Sequence, residues 1–193
     1  DFIYGGDGND SLAGGLDGDE VEGGLGNDRI DGDGGNDTLR GNEGNDNMFG
    51  GDGVDVIVSG DNNDTVSGGD GADAVFAGSG NDLVSAGTGA DYVEGNADAD
   101  SIAGESGSDT LFGGDGNDTV SGGADNDSVT GDDGNDVLSG DDGDDTISGL
   151  GDNDSMFGGL GLDLLIGGAG DNFFDGGAGN DTLTGAFGNL SLI

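Results

Sequence analysis

The sequence has no cysteine, histidine, proline or tryptophan, and only two of its 193 residues are basic. Without cysteine there is no disulfide framework, iron–sulfur centre or thiol nucleophile. Without histidine, a Ser-His-Asp triad and the ordinary catalytic zinc site are excluded. Two basic residues cannot form the electropositive patch that binds nucleic acid or anionic lipid. We therefore expect neither an enzyme nor a nucleic-acid partner.

Long apolar runs are also missing. No segment approaches the roughly 18–20 apolar residues that span a membrane. The first residues lack the basic and apolar regions of a secretory signal peptide. We therefore expect no membrane insertion.

The chain is rich in glycine and acid: 50 residues are Gly, 43 are Asp or Glu, and the formal net charge is −41. Leu, Ile, Val and Phe together make up about a fifth of the residues, which is close to the composition of disordered chains. Collagen is excluded because proline is absent and the glycines are not spaced by three. Composition alone favours disorder, but the order of the residues favours a fold.

That order follows a strict period of nine. Residues 5–184 form twenty consecutive nonapeptides without insertion or deletion, and Gly5 is taken as position 1. A partial repeat (1–4) precedes them and a degenerate copy (185–193) follows. We therefore expect one repeat array over residues 1–193.

Three positions of the repeat are nearly fixed. Position 6 is Asp in 19 of the 20 repeats, with Asn172 as the exception, and position 8 is apolar in all 20. Position 1 is Gly in 17 repeats, and the exceptions are Ser59, Ala77 and Ala86. Spacing this regular indicates a stacked structure.

Each repeat has two parts. Positions 1–6 predict a turn, because glycines at one, two and four adopt positive φ at little steric cost. Positions 7–9 predict a short strand whose middle, apolar side chain faces a core. Two repeats make a coil of eighteen residues, so residue i lies above residue i+18 in a parallel ladder. About ten coils predict an all-β solenoid roughly 50 Å long.

The same coil places the position-6 aspartates in two columns, one along each edge. Carboxylates repeated every ~5 Å repel one another unless a cation lies between them. Carboxylate and turn carbonyl oxygens form an all-oxygen site, which favours calcium over zinc, copper or magnesium. The candidate calcium ligands are Asp10, Asp19, Asp28, Asp37, Asp46, Asp55, Asp64, Asp73, Asp82, Asp91, Asp100, Asp109, Asp118, Asp127, Asp136, Asp145, Asp154, Asp163 and Asp181.

The repeat G-G-x-G-x-D-x-U-x, in which U is apolar, resembles the RTX (repeats-in-toxin) calcium-binding nonapeptide. Residues 5–13 (GGDGNDSLA), 113–121 (GGDGNDTVS) and 176–184 (GGAGNDTLT) match it in full. The resemblance implies a right-handed parallel β-roll with calcium between successive turns on each edge. Ten loops per column leave nine gaps, so about 18 ions are expected. Their charge would nearly cancel the net charge of −41.

Some repeats depart from this pattern. Asn172 and Leu190 fall in the same column, where we expect calcium to be weak or missing. Five residues replace the position-4 glycine, and Asp and Asn tolerate the left-handed conformation, so we expect their turns to form. These residues are Asp17, Asn62, Asp98, Asp125 and Asp152.

Two functions remain open. The first is a calcium-folded structural rod of an extracellular surface layer, matrix, adhesin or filament, with end-to-end self-association as a further expectation, because uncapped parallel sheets add strands. The alternative is a secretion and folding module of a larger enzyme or toxin. The resemblance implies, for both, a bacterial protein exported by a type I system and folded by calcium outside the cell.

Overall fold

The computed structural model describes residues 1–187 and 191–192, and in this part of the chain two parallel sheets of eleven strands face each other. The first sheet contains β1 (Phe2–Asp7), β3 (Glu20–Leu25), β5 (Thr38–Glu43), β7 (Val56–Asp61), β9 (Ala74–Ser79), β11 (Tyr92–Ala97), β13 (Thr110–Asp115), β15 (Ser128–Asp133), β17 (Thr146–Leu150), β19 (Leu164–Ala169) and β21 (Thr182–Phe187). The second contains β2 (Ser11–Leu16), β4 (Arg29–Gly34), β6 (Asn47–Asp52), β8 (Thr65–Asp70), β10 (Leu83–Thr88), β12 (Ser101–Ser106), β14 (Thr119–Ala124), β16 (Val137–Asp142), β18 (Ser155–Gly161), β20 (Phe173–Gly179) and β22 (Ser191–Leu192).

The register confirms the predicted coil of eighteen residues. Consecutive strands lie in opposite sheets, and each strand pairs in parallel with the next but one along the chain. Val84 lies beside Ile102 in the second sheet, and Val93 lies beside Leu111 in the first. The register is irregular between β19 and β21, near Gly168. The fold is therefore an all-β parallel solenoid of about ten turns, as the period predicts.

The strands are longer than the three residues predicted from the repeat. Most have six residues and continue through positions 1–3 of the next repeat, as in Val56–Asp61. Gly60, at position 2, has a φ of 117° and still pairs with Asn42 of the neighbouring strand. Positive φ at this position bends the strand without ending the ladder, so the turn is confined to the residues around positions 4–6. The prediction that positions 1–3 belong to the turn was wrong.

Two residues of each repeat face inward. Position 8 is buried from Val21 to Phe174, as predicted. Position 1 is also buried, as Ser59, Ala77 and Ala86 show with 0% exposure. Because the strand continues past position 9, its alternation turns position 1 to the same side as position 8. The interior therefore consists of apolar side chains and of glycine backbone.

The five replacements of the position-4 glycine behave as expected. Asp17, Asn62, Asp98, Asp125 and Asp152 all have φ between 62° and 83°. Their short polar side chains tolerate this region better than most others, so the turn keeps its shape in these repeats. The described residues contain no helix of the length and hydrophobicity that crossing a bilayer requires.

Candidate metal centre

The predicted ligands lie along the two edges of the solenoid, where each turn enters the following strand. The seventeen aspartates from Asp19 to Asp163 are at most 7% exposed. Asp10 and Asp181, near the ends of the columns, are partly exposed. Burial of so many carboxylates is unusual, because an ionised group loses its hydration when it is buried.

One oxygen of each buried carboxylate is bound by the fold. The Oδ1 atom accepts a hydrogen bond from the backbone N–H of the aspartate one coil earlier. Asp91 N donates to Asp109 Oδ1 at 2.8 Å, and Asp100 N donates to Asp118 Oδ1 at the same distance. This series connects successive coils on both edges. The sequence did not reveal this structural role of position 6.

The asparagines at position 5 form a second series in the opposite direction. Asn27 N donates to Asn9 Oδ1, and Asn45 N donates to Asn27 Oδ1, both at 3.0 Å. The frequent Asn at position 5 therefore satisfies a turn N–H of the next coil. Together the two series hold the turns in register around the carboxylates.

The other carboxylate oxygen, Oδ2, has no hydrogen-bond partner. It is buried and unsatisfied in eighteen repeats, which are those of Asp10, Asp19, Asp28, Asp37, Asp46, Asp55, Asp64, Asp73, Asp82, Asp91, Asp100, Asp109, Asp118, Asp127, Asp136, Asp145, Asp154 and Asp163. A buried carboxylate oxygen without a partner is strongly unfavourable, so each of these atoms needs a cation or a hydrogen-bond donor.

Each unsatisfied oxygen faces a small space beside the residue at position 1, which is most often glycine. A Cβ atom on Gly95 would lie 2.4 Å from Asp100 Oδ2 and 2.4 Å from the carbonyl oxygen of Gly113, one coil later. A Cβ on Gly104 would likewise lie 2.4 Å from Asp109 Oδ2. Carbon and oxygen atoms do not approach this closely, so the carboxylate and the carbonyl can take these positions only where position 1 is glycine. We call this space, between Oδ2, the position-1 Cα and the next coil's carbonyl, the position-1 cradle.

The donors of the cradle are a carboxylate and main-chain carbonyls. Among the described residues, no three acidic side chains converge on a point where they could hold a metal. A site here depends on backbone oxygens for most of its ligands, which suits a hard cation with flexible coordination such as calcium. The residues present therefore fit calcium.

Comparison with protein families agrees with this geometry. A family described as RTX calcium-binding nonapeptide repeat (4 copies) matches residues 1–21, 22–57, 49–84, 58–93, 76–111, 94–129, 130–165 and 157–189. The chain belongs to this RTX repeat family. RTX nonapeptides bind calcium, and the solenoid is the fold expected of them. A comparison with curated proteins found no match.

Burial changes the acidity of the RTX aspartates. It is the main cause that raises the pKa of Asp64, Asp100 and Asp127 to about 7. Repulsion from neighbouring carboxylates of the same column also raises the pKa, while the N–H donor on Oδ1 lowers it. Without a cation, burial therefore shifts these three carboxyls towards the protonated form.

Asn172 shows how the hydrogen bonds change where position 6 is not Asp. Its Oδ1 keeps the hydrogen bond from Asp154 N at 2.8 Å, and its Nδ2 donates to Gly167 O at 2.8 Å. The amide thus donates to Gly167 O, the carbonyl that completes the cradle of Asp154 one coil earlier. Weak or absent calcium in this part of the column stays a prediction. Leu190, the second departure in this column, lies outside the described residues.

The outer face of the first sheet carries an open groove of about 590 Å³. Its lining includes Glu94, Phe112, Asp115, Asp132 and Asp133. Burial and the neighbouring carboxylates raise the pKa of Asp132. The RTX solenoid is a binding and structural fold, and the groove lies apart from the buried aspartates on its edges.

Proposed function

We propose that this chain is a calcium-folded structural rod that works outside the cell, and that the position-6 aspartates are its calcium ligands. The eighteen buried Oδ2 atoms without a hydrogen-bond partner support this proposal most directly. The regularity of residues 5–184 favours a rod over a secretion module, because an evenly repeated interior suits a structural protein whose function depends on its length.

The aspartates and glycines have separate tasks in this proposal. The Oδ1 hydrogen bond fixes each carboxylate, so that Oδ2 faces the position-1 cradle. The position-1 carbonyl of the next coil supplies a second oxygen, and glycine leaves the space between them open. Bound calcium supplies the positive charge that these oxygens lack, at up to about 18 sites.

Electrostatic repulsion explains why folding would depend on calcium. Forty-three acidic residues face two arginines, and the buried columns bring carboxylates close together. Repulsion of this kind opposes the compact state, and binding only to the folded state reverses the balance. We expect a disordered chain without calcium and an ordered solenoid with it.

Circular dichroism during a calcium titration tests this proposal, with magnesium as the control. The expected result is a cooperative change from coil to β-structure with calcium, and little change with magnesium, which dehydrates reluctantly and demands octahedral geometry. Small-angle scattering should show the radius of gyration fall from about 47 Å to about 16 Å, or slightly more for a rod. A β-rich spectrum in excess chelator at neutral pH would overturn the proposal.

We further propose that residues 1–193 act as one array and that rods associate end to end. End-to-end association would extend each sheet by parallel pairing of the kind that joins β1 to β3 at one end of the first sheet. Electron microscopy of the calcium-loaded chain is expected to show filaments. A population of single rods about 50 Å long, at all protein concentrations, would exclude this association.

A further inference from the structure

The position-1 cradle is already filled in three repeats. Position 1 is glycine next to fifteen of the eighteen unsatisfied aspartates, and it is Ser59, Ala77 or Ala86 next to Asp64, Asp82 and Asp91. These side chains are completely buried, so their Cβ atoms point into the solenoid. Their strands keep the common register and burial pattern, so the cradle geometry applies to them as well.

A Cβ atom at position 1 crowds the two oxygens that would bind calcium. A Cβ added to the glycine of an open cradle would lie 2.1–2.9 Å from Oδ2, which is closer than carbon and oxygen atoms approach unless one of them shifts. A real methyl group there requires the oxygens to move outward and blocks the ion's approach from the interior.

Ser59 adds a second observation. Its hydroxyl donates a hydrogen bond to the carbonyl oxygen of Ala77 at 2.7 Å. This carbonyl is the one that completes the cradle of Asp64, by analogy with Gly113 in the cradle of Asp100. The hydroxyl therefore occupies the acceptor that a cation would need, as the Asn172 amide does for Gly167.

Resting on the proposed function, we infer that calcium binds fourteen of the glycine cradles and not those of Asp64, Asp82 and Asp91. The fifteenth glycine cradle, that of Asp154, is left out because the Asn172 amide occupies its Gly167 carbonyl. The calcium sites then fall into two blocks. Six open cradles lie before Ser59 (Gly5 to Gly50) and seven lie after Ala86 (Gly95 to Gly140, and Gly158), with the cradle of Gly68 alone between them. The middle of the rod, residues 59–91, is a calcium-poor belt between two calcium-rich segments.

Native mass spectrometry tests this inference because it counts bound ions on the whole chain. In buffer of fixed free calcium, Ala77→Gly and Ala86→Gly are each expected to bind one more ion than the natural sequence, and the double variant two more. Gly95→Ala is the matched control in the opposite direction and is expected to bind one ion fewer. Gly95 does not have positive φ, so alanine is compatible with its backbone.

Terbium luminescence locates the added ion. The chain has two tyrosines and no tryptophan, so in a Tyr4→Phe background Tyr92 is the single aromatic donor that sensitises bound terbium efficiently. Tyr92 directly follows Asp91, and Ala86→Gly in that background is expected to raise the sensitised emission. Gly14→Ala, far along the rod, is expected to leave it unchanged.

The outcomes separate the two proposals. If the natural chain binds no calcium, the proposed function fails and the inference fails with it. If the natural chain binds calcium but Ala77→Gly and Ala86→Gly leave both the ion count and the terbium emission unchanged, the inference alone is overturned. An increase of one ion per restored glycine supports it.

Discussion

At the scale of the residue, the two carboxylate oxygens of the position-6 aspartate have different roles. Oδ1 accepts a backbone hydrogen bond that joins successive coils, and Oδ2 faces the position-1 cradle. Asn172 separates these two roles. Its Oδ1 still accepts the backbone hydrogen bond, while an N–H donor, Nδ2, stands in place of the second carboxylate oxygen. An asparagine elsewhere in the column should do the same.

Asp109→Asn is therefore expected to leave the fold intact and remove one calcium ion. Its Oδ1 can still accept from Asp91 N, while its Nδ2 points to the cradle. Loss of one ion present at about 100 times its Kd lowers the free energy of unfolding by about 2.7 kcal/mol. Urea unfolding in calcium and native mass spectrometry measure the two effects. Asp52→Asn, at the exposed end of β6, makes the same charge change and should alter neither; equal effects from both variants would contradict the assignment.

Leu150 shows backbone strain that most repeats avoid by having Gly, Asn or Asp at this position. It occupies position 2, which is most often glycine, and has a φ of 68°. A residue with a Cβ in this region of φ lowers the free energy of unfolding by about 1–2 kcal/mol. Replacement by glycine recovers only part of this free energy, because glycine loses more chain entropy on folding. Leu150→Gly is thus expected to raise the free energy of unfolding by about 1 kcal/mol, measured by urea unfolding in calcium. Leu160→Gly, at an exposed position without positive φ, should give no gain.

At the scale of the element, the period of nine predicted the fold but not the length of its strands. The 18-residue register and the inward position 8 follow from spacing and alternation alone. Positions 1–3 were predicted as turn because the glycines at positions 1 and 2 can adopt positive φ at little steric cost. Here glycine continues the ladder, because each coil presents the same backbone to its neighbour and a side chain at position 1 crowds the carboxylate.

The candidate ligands could be proposed from the sequence, whereas the form of the site could not. The 19 aspartates could be read from the repeat, since nothing else recurs at one position with that charge. The path of the backbone through each turn decides which carboxylate oxygen accepts the hydrogen bond and which one faces the cradle beside position 1. The sequence does not show this path. The sequence alone does not show that replacing the position-1 glycine affects the site. The effect of Ser59, Ala77 and Ala86 becomes clear only once position 1 is known to face inward.

The inward face of the strand gives a test of the core. Val93 is completely buried, and Val93→Asp would place a charge in an interior one side chain thick. Burying an unpaired carboxylate costs several kcal/mol, so the variant is expected to lose most of its β-signal even in saturating calcium. Val137→Asp makes the same substitution at a position that is 44% exposed and should fold normally. A normal circular dichroism spectrum for Val93→Asp would contradict the inward assignment of position 8.

At the scale of the whole molecule, calcium and protons compete for the same carboxylates. Burial raises the pKa of Asp64, Asp100 and Asp127 to about 7 in the metal-free fold, well above the 3.8 of the unfolded chain. Between these two values the folded state binds more protons than the unfolded state. The free energy of unfolding of the metal-free protein therefore increases as the pH falls from about 7 towards 4.

Calcium-dependent folding should follow the opposite trend, because calcium binds the deprotonated carboxylate. Two results are expected between pH 7.5 and pH 5.0, the lower value lying above the isoelectric point of about 4.1. In metal-stripped buffer the β-signal rises as the pH falls. In titrations the calcium concentration at the folding midpoint increases. Magnesium titrations at both pH values control for ionic strength. A calcium midpoint that stays constant or decreases at pH 5.0 would mean that the buried aspartates are not the groups that couple calcium to folding.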